Sequence, residues 1–210
     1  MQSAMNPGET VRVETCTGAA LLPLLPDLQR LRVTVFRAWP YLYDGNPEQE
    51  SAHLRAFVDS PLAAIVVAFG NGAPVGASTV LPLGDESANV RAPFEARGLD
   101  PARFFYFGES VLLQEWRGQG IGVAFFEHRE AHAQRVSECD YTTFCAVERP
   151  ADHPMRPPDA VGLEAFWRKR GYTPYPDLAC TMSWKDVGQA EPSEHQLRFW
   201  IKSLHGVPLP

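Results

Sequence analysis

Apolar and polar residues follow one another along this chain in two recurring patterns, and each pattern predicts one type of secondary structure. Short apolar runs, or runs in which every second residue is apolar, are typical of β-strands, whereas apolar residues spaced three or four positions apart indicate helices. The first pattern predicts strands at 10–15, 63–69, 74–83, 105–113, 141–147, 179–184 and 196–202. The second predicts helices at 21–39, 47–59, 121–136 and 163–170. Together they predict an α/β fold.

Two long segments follow neither pattern and are predicted to connect these elements. Residues 84–103 are polar, contain glycine and proline, and are interpreted as an insertion between a β-hairpin and the next strand. Residues 148–162 carry four prolines and cannot continue a strand, and loops of this length are often functional. A C-terminal strand pair is predicted within 178–204. No repeat or second domain is needed, so residues 1–210 are predicted to form a single domain.

A glycine-rich turn lies where the strand at 105–113 ends and the helix at 121–136 begins. Its sequence over 117–122 is RGQGIG. Glycines remove the side chains that would keep a ligand from the backbone, and the first N–H groups of a helix have no partner within the helix. Those donors and the helix dipole both favour an anion, so the turn predicts a phosphate site. It lacks the Lys-Ser or Lys-Thr of a nucleoside-triphosphate loop.

Two ordered motifs carry a resemblance to a known family. The segment LLQEWRGQGIG at 112–122 matches the pattern [RQ]-x-x-G-x-[GA] after an apolar strand, and it resembles the coenzyme A pyrophosphate loop of the GNAT superfamily of N-acetyltransferases. The segment LEAFWRKRGY at 163–172 resembles the second GNAT signature, a helix that ends in two aromatic residues followed by a glycine and a further aromatic residue. The family usually has tyrosine at the position of Trp167. An indole cannot supply a proton near neutral pH as a phenol can.

The resemblance implies a fold and a cofactor. The expected fold is a mixed, mainly antiparallel sheet that splays at its central strands, with helices on both faces. The expected co-substrate is acyl-CoA, with acetyl-CoA as the first choice. Free N–H groups beside the splay are expected to hold the pantetheine arm, and the glycine turn to hold the pyrophosphate. The residues expected to bind the cofactor in this way are Leu112, Leu113, Gln114, Arg117, Gly118, Gln119, Gly120, Ile121, Gly122, Val123 and Trp167.

The expected reaction is direct transfer of the acyl group to an amine, and it calls for a base. An alkylammonium group with a pKa of about 10.4 must lose a proton before it can attack at pH 7, which costs roughly 4.6 kcal/mol. Glu109 is the candidate base, because it lies on the predicted central strand eight residues before Arg117. A carboxylate that only satisfies nearby backbone groups is an equal interpretation of Glu109. Glu148, at the end of the next strand, is the alternative base.

Several alternatives stay open at this point. A catalytically silent CoA-binding or regulatory module is the alternative to an enzyme, because Trp167 replaces the usual acid. The aromatic loop at 39–43 is interpreted equally as a wall of the acceptor pocket or as a plug over the core. The acceptor is a small-molecule or peptide amine that the sequence does not identify. A homodimer is compatible with the sequence, which does not determine the oligomeric state.

Composition excludes some classes of partner. The formal net charge is -6 and the basic residues are scattered, which argues against nucleic acid or an anionic membrane as partner. No apolar run is long enough to span a membrane, and the N-terminus lacks the features of a signal peptide, so a cytoplasmic protein is expected. The four cysteines show no CxxC spacing, and His128 and His132 lack the glutamate position of HExxH, so no metal site is expected.

Overall fold

The computed structural model describes residues 11–210, which form one eight-stranded sheet with helices against it. The strands are β1 (Val11–Cys16), β2 (Ala64–Gly70), β3 (Ala73–Pro82), β4 (Phe104–Tyr106), β5 (Ser110–Leu112), β6 (Tyr141–Val147), β7 (Thr173–Trp184) and β8 (Ser193–Ser203). The helices in this part of the chain are α1 (Leu25–Phe36), α2 (Pro47–Asp59), α3 (Ala88–Glu95), α4 (Ile121–Val136) and α5 (Glu164–Lys169).

The strand order is β1-β2-β3-β4-β6-β8-β7, with β5 paired to β3 outside this path. Neighbouring strands are antiparallel except for β4 and β6, which are parallel. A parallel pair needs a crossover connection, and α4 supplies it between β5 and β6. The predicted mixed, mainly antiparallel α/β fold is therefore confirmed.

The sheet splays in its middle, where the predicted strand at 105–113 divides into β4 and β5. Tyr106 pairs with Leu81 on one side and with Thr143 on the other, and the Phe107 N–H donates to the Thr143 carbonyl at 2.8 Å. Beyond Phe107 the chain leaves β6, and β5 pairs with β3 alone. A Cβ at Gly108, within this break, would lie 2.7 Å from the Thr79 hydroxyl oxygen, so the bend requires glycine.

Both faces of the sheet are covered. Ile65, Val67 and Phe69 of β2 belong to the core cluster that includes buried residues of α1, α2 and α3, whereas Val66 and Ala68 pack with the start of α4. A strand that is buried on both faces is apolar at successive positions, which explains the continuous apolar run of β2. None of the helices among residues 11–210 is long and apolar enough to cross a bilayer.

Several element boundaries differ from the prediction for identifiable reasons. Residues 18–24 form a 3-10 helix before α1, because a proline within this segment cannot donate the hydrogen bond that an α-helix needs. Helix α1 ends at Phe36, three residues before Trp39. The segment at 84–103 contains α3, and the C-terminal strands are longer than predicted because β7 begins before an irregularity between Pro174 and Ala179. Thr10, in the first predicted strand, lies outside the described residues.

The contact between Gly70 and Trp116 predicts a stability difference between two glycine variants. A Cβ at Gly70 would overlap the buried Trp116 indole, so Gly70→Ala is expected to destabilise the protein by about 1–3 kcal/mol. Gly84→Ala is the matched control, because a Cβ there meets nothing within 4 Å. Urea unfolding of both variants measures the difference. Equal stabilities would show that Trp116 does not pack tightly on β2.

Candidate active site

A cavity of about 700 Å³ opens beside the strand break. This volume is in the range of small-molecule sites, which are about 300–1,000 Å³. Its walls come from α1, α2, the segment between them, the turn after β3, the break between β4 and β5, β6, β8 and the β7–β8 hairpin. The lining residues are Arg32, Phe36, Tyr41, Tyr43, Asp44, Asn46, His53, Glu86, Ser87, Tyr106, Gly108, Glu109, Cys145, Met182, Ser183, Trp184, Lys185, Pro192 and Leu197.

Glu109 lines this cavity and is part of a buried charge cluster. The Arg32 guanidinium contacts the Glu109 carboxylate through Nη1 and the Glu50 carboxylate through Nε. The three side chains are only 10%, 11% and 2% exposed, respectively. One cation shared by two carboxylates leaves a net negative charge beside the cavity, and buried charges of this kind persist only when they are paired.

His53 lies next to Glu109 at the edge of the cluster. Its Nε2 is 3.6 Å from Oε2 of Glu109, and 43% of its side chain is exposed. Partial burial, and then the Arg32 charge, lower the pKa of the His53 imidazole below its usual value. The ring is therefore neutral at pH 7, and its protonated form is disfavoured.

The backbone of Glu109 is hydrogen-bonded to the neighbouring strand β3 and to the helix α4. Its N–H donates to the Thr79 hydroxyl at 3.0 Å, and its carbonyl accepts from the Thr79 N–H at 3.0 Å and from the Arg129 guanidinium at 3.3 Å. Arg129 lies against the rings of Phe107 and Phe126, and burial lowers its pKa to about 10, so it stays protonated at pH 7. These contacts fix the position of Glu109, while its carboxylate faces Arg32 and the cavity.

The glycine turn lies at the N-terminus of α4 and is anchored on both sides. Trp116 and Ile121 are buried in the same cluster against the sheet. Gly118 and Gly120 have φ angles of 78° and 83°, which L side chains rarely adopt, and a Cβ at either position would point into open space. Within residues 11–210, no backbone carbonyl accepts from the N–H groups of 118–121. The turn therefore presents several donors to an anion.

The predicted pantetheine contacts lie on β5 and just after it. The Leu113 N–H donates to the Val75 carbonyl at 3.0 Å and is therefore already bonded within the sheet. Leu112, paired with Gly76, alternates with Leu113, so its N–H group is directed toward the splay, whereas Gln114 begins a 3-10 helix after β5. The Leu112 carbonyl accepts from Nε of Arg117 at 3.2 Å, which ties the glycine turn to this strand.

Three other residues considered from the sequence lie away from the cavity lining. Trp167 is half-buried and packs edge-on against Phe144 of β6 and Trp200 of β8. Glu148, the alternative base, forms an exposed bidentate pair with Arg198 at 2.6 and 2.9 Å. Tyr172 is buried, and burial and the Glu130 charge raise the pKa of its phenol.

The aromatic loop at 39–43 is held over one side of the cavity by hydrogen bonds to its backbone. Both oxygens of Asp186 accept from Arg149, at 2.7 and 2.8 Å, and the same guanidinium donates to the carbonyls of Pro40 and Tyr41. Nε1 of Trp184 also donates to the Tyr41 carbonyl, at 3.1 Å. Arg149, from the proline-rich loop, thus holds the cavity wall in place, and the side chain of Tyr41 lines the cavity.

Comparison with known proteins identifies the fold. No protein-family model and no curated protein matches the sequence. Solved structures do match: an acetyltransferase of the GNAT family from Streptococcus pneumoniae has a TM-score of 0.56 at 14% identity, covering 92% of this chain and 99% of the other. The chain has the GNAT acetyltransferase fold. Such low identity establishes the fold alone.

Two further matches with the GNAT-type fold were solved with a ligand. The protein yncA from Salmonella typhimurium, solved with its cofactor acetyl-CoA, gives a TM-score of 0.57 at 13% identity and covers 96% of this chain and 98% of its own. Arabidopsis thaliana NAA60 in complex with acetyl-CoA gives 0.60 at 12% identity and covers 94% of this chain and 100% of its own.

Sequence reasoning missed Arg32, Glu50, His53 and Glu86 as site residues. Glu50 and His53 lie three positions apart in the predicted helix at 47–59, which places them on one helix face. That spacing was the available signal. It identified neither Arg32 as their neighbour nor the cavity that they border, because those contacts join residues far apart in the chain.

The buried cluster predicts that removing its cation destabilises the protein. Arg32→Met leaves the Glu50 carboxylate buried without its counter-ion, with the Tyr43 hydroxyl still bonded to it, which is expected to cost about 3–5 kcal/mol. Arg30→Met, on the same helix, is the matched control, because the pair of Arg30 with Asp27 is exposed and is expected to contribute less than about 1 kcal/mol. Chemical denaturation compares the two variants. Similar stabilities would mean that Arg32 does not neutralise a buried carboxylate.

Proposed function

We propose that this chain is an acetyl-CoA-dependent N-acetyltransferase that transfers the acetyl group directly to an amine. The observation that carries the proposal is the strand break at 107–109. On one side of it Glu109 faces a small-molecule-sized cavity, and on the other β5 leads within a few residues to a turn rich in unpaired N–H groups. The acetyl-CoA complexes of yncA and NAA60 are consistent with this cofactor.

In this proposal the cofactor lies along β5. The pyrophosphate accepts from the N–H groups at 118–121 at the N-terminus of α4, where the helix dipole adds to the attraction. The pantetheine arm bonds with the N–H groups that β5 directs toward the splay. We place Trp167 beside the acyl end of the arm, because Trp167 packs on Phe144 of β6, the strand across the splay.

Glu109 acts as the general base, directly or through a water molecule. The amine nitrogen attacks the thioester carbonyl carbon, its proton passes to Glu109, and the carbon–sulfur bond breaks as the amide forms. Because Arg32 is shared with Glu50, its positive charge does not fully neutralise Glu109.

CoA leaves the thioester as a thiolate. Trp167 cannot protonate it, and the Tyr172 hydroxyl is buried, donating to Glu130 at 3.1 Å and lying 2.9 Å from the Thr142 hydroxyl. A thiolate whose parent thiol has a pKa of about 8.5 is an acceptable leaving group without an acid. We place the reaction in the cytoplasm, where free cysteines such as the four in this chain stay reduced.

The second candidate function is a catalytically silent CoA-binding or regulatory module, which the replacement of the usual tyrosine by Trp167 favours. Release of CoA thiol in the presence of an amine panel separates the two candidates. Release that depends on the amine supports the enzyme. Tight CoA binding without release supports the module.

The base assignment predicts the effect of Glu109→Gln. This variant is expected to lower kcat/KM by about 100-fold near pH 7, with partial recovery at high pH as the amine deprotonates unaided. Glu148→Gln, which removes the same charge outside the cavity, is expected to keep the parent activity. Steady-state kinetics across a pH series measures both. A loss of activity in Glu148→Gln but not in Glu109→Gln would assign the base to Glu148. Full activity in both variants would show that water deprotonates the amine.

The cofactor placement predicts the effect of a side chain at Gly122, in the first turn of α4. Gly122 is the better test position, since a side chain at Gly120 would strain the backbone itself. A Cβ at Gly122 lies 3.5 Å from the Phe166 ring, an ordinary contact, so Gly122→Ala is expected to bind CoA almost normally. Gly122→Val is expected to weaken binding by about tenfold or more, through steric obstruction of the pyrophosphate. Calorimetric titration with CoA checks this, and equal affinities would contradict the placement.

A further inference from the structure

Glu86 is a carboxylate that lines the cavity and has no ion-pair partner within residues 11–210. It is half-buried in the turn after β3, and its carboxylate accepts from the N–H of Ser87 at 3.0 Å. The neighbouring Arg91 guanidinium is engaged elsewhere: it donates to the carbonyls of Gly84 and Glu86 and pairs with Glu95 at 3.5 Å. Burial raises the pKa of Glu86, and the Ser87 hydrogen bonds and the nearby Arg91 charge offset only part of that rise.

The other charges that line the cavity are paired. Lys185 pairs with Asp44 at 2.8 Å, and Arg32 pairs with Glu109. The lining therefore contains two cationic side chains and three carboxylates, with Glu86 as the excess negative charge. Beside the cavity, Glu50 adds a carboxylate next to Arg32, and Arg37 adds a cation that pairs with Asp44 at 2.6 Å. Among the described residues, Glu86 therefore remains the lining carboxylate without an ion pair. Such a cavity favours a ligand that brings positive charge.

The aromatic walls favour the same kind of ligand. Tyr41 and Tyr43 line the cavity together with Glu86, whereas the ring of Trp184, which also lines it, is already stacked on His195 at 3.9 Å. The faces of such rings attract ammonium groups within about 6 Å of the ring centre. A cationic ligand in this cavity would therefore interact with both the carboxylate and the rings.

Glu86 and Glu109 reach the cavity from different segments of the chain. Glu109 lies in the break between β4 and β5, next to Thr79, whereas Glu86 follows the 3-10 turn of residues 83–85 after β3. A ligand with two ammonium groups can pair one of them with each carboxylate.

We propose that the acceptor is an amine with a second, remote ammonium group, which binds at Glu86 while the reacting amine lies at Glu109. This inference rests on the proposed transferase function for the role of Glu109. The binding of a second cation at Glu86 does not depend on turnover, and it can be measured without turnover.

The test compares α,ω-diamines of increasing length with monoamines of the same lengths, using acetyl-CoA as donor. The parent protein is expected to show a kcat/KM at least about tenfold higher for its best diamine than for the matched monoamine. Glu86→Gln is expected to abolish this preference, mainly through KM. Asp85→Asn removes a neighbouring charge that does not line the cavity, and it is expected to keep the preference.

Calorimetric titration of the same diamines into the CoA-bound protein separates this inference from the proposed function. Diamine binding that Glu86→Gln weakens, without acetylation, would support the cation site and contradict the transferase. Acetylation of monoamines and diamines with equal efficiency would contradict the cation site and support the transferase. Equal losses in Glu86→Gln and Asp85→Asn would also overturn the inference, as would the absence of any Glu86-dependent diamine binding or turnover. Far-UV circular dichroism verifies that each variant is folded.

Discussion

The break in the central strand is the constraint on which the rest of the site depends. A continuous strand from Phe104 to Leu112 would pair with β3 and β6 along its whole length and would leave no room between them. The chain instead leaves β6 after Phe107, and Gly108 fits against Thr79 only because it has no side chain. The same break opens one edge of β5 and turns the Glu109 side chain toward the cavity. The open edge of β5 and the placement of the Glu109 carboxylate thus have one geometric cause.

The break is held by charges that come from separate layers of the fold. Arg32 on α1 contacts the Glu109 carboxylate on the cavity side, while Arg129 on α4 donates to the Glu109 carbonyl. Burying two guanidinium groups is unfavourable unless their donors are satisfied. Each arginine finds one of its acceptors on Glu109, in the stretch of the central strand that no longer pairs with β6. The polar groups that the break exposes and the cations that need partners therefore stabilise each other.

The sequence predicted the features that depend on local order and missed those that depend on distant contacts. Period-two and helical patterns located most strands and helices, and the glycines at 118–122 located the turn, because these signals lie within a few residues of each other. The division of the strand at 105–113 was not predicted, since the apolar run does not reveal where its hydrogen-bond partner changes. The cluster of Arg32, Glu50 and Glu109 was missed for the same reason: its members lie on α1, on α2 and in the strand break, and only the packed fold brings them together.

The hydrogen bonds on the aromatic loop fix the course of its backbone independently of its side chains. Arg149 and Trp184 donate hydrogen bonds to the carbonyl oxygens of Pro40 and Tyr41. These bonds involve the backbone of the loop and not its side chains. The rings of Tyr41 and Tyr43 that face the cavity can be replaced without removing these backbone hydrogen bonds. The lining of the cavity can thus change through point substitutions in the loop, while the hydrogen bonds that hold the loop backbone stay the same.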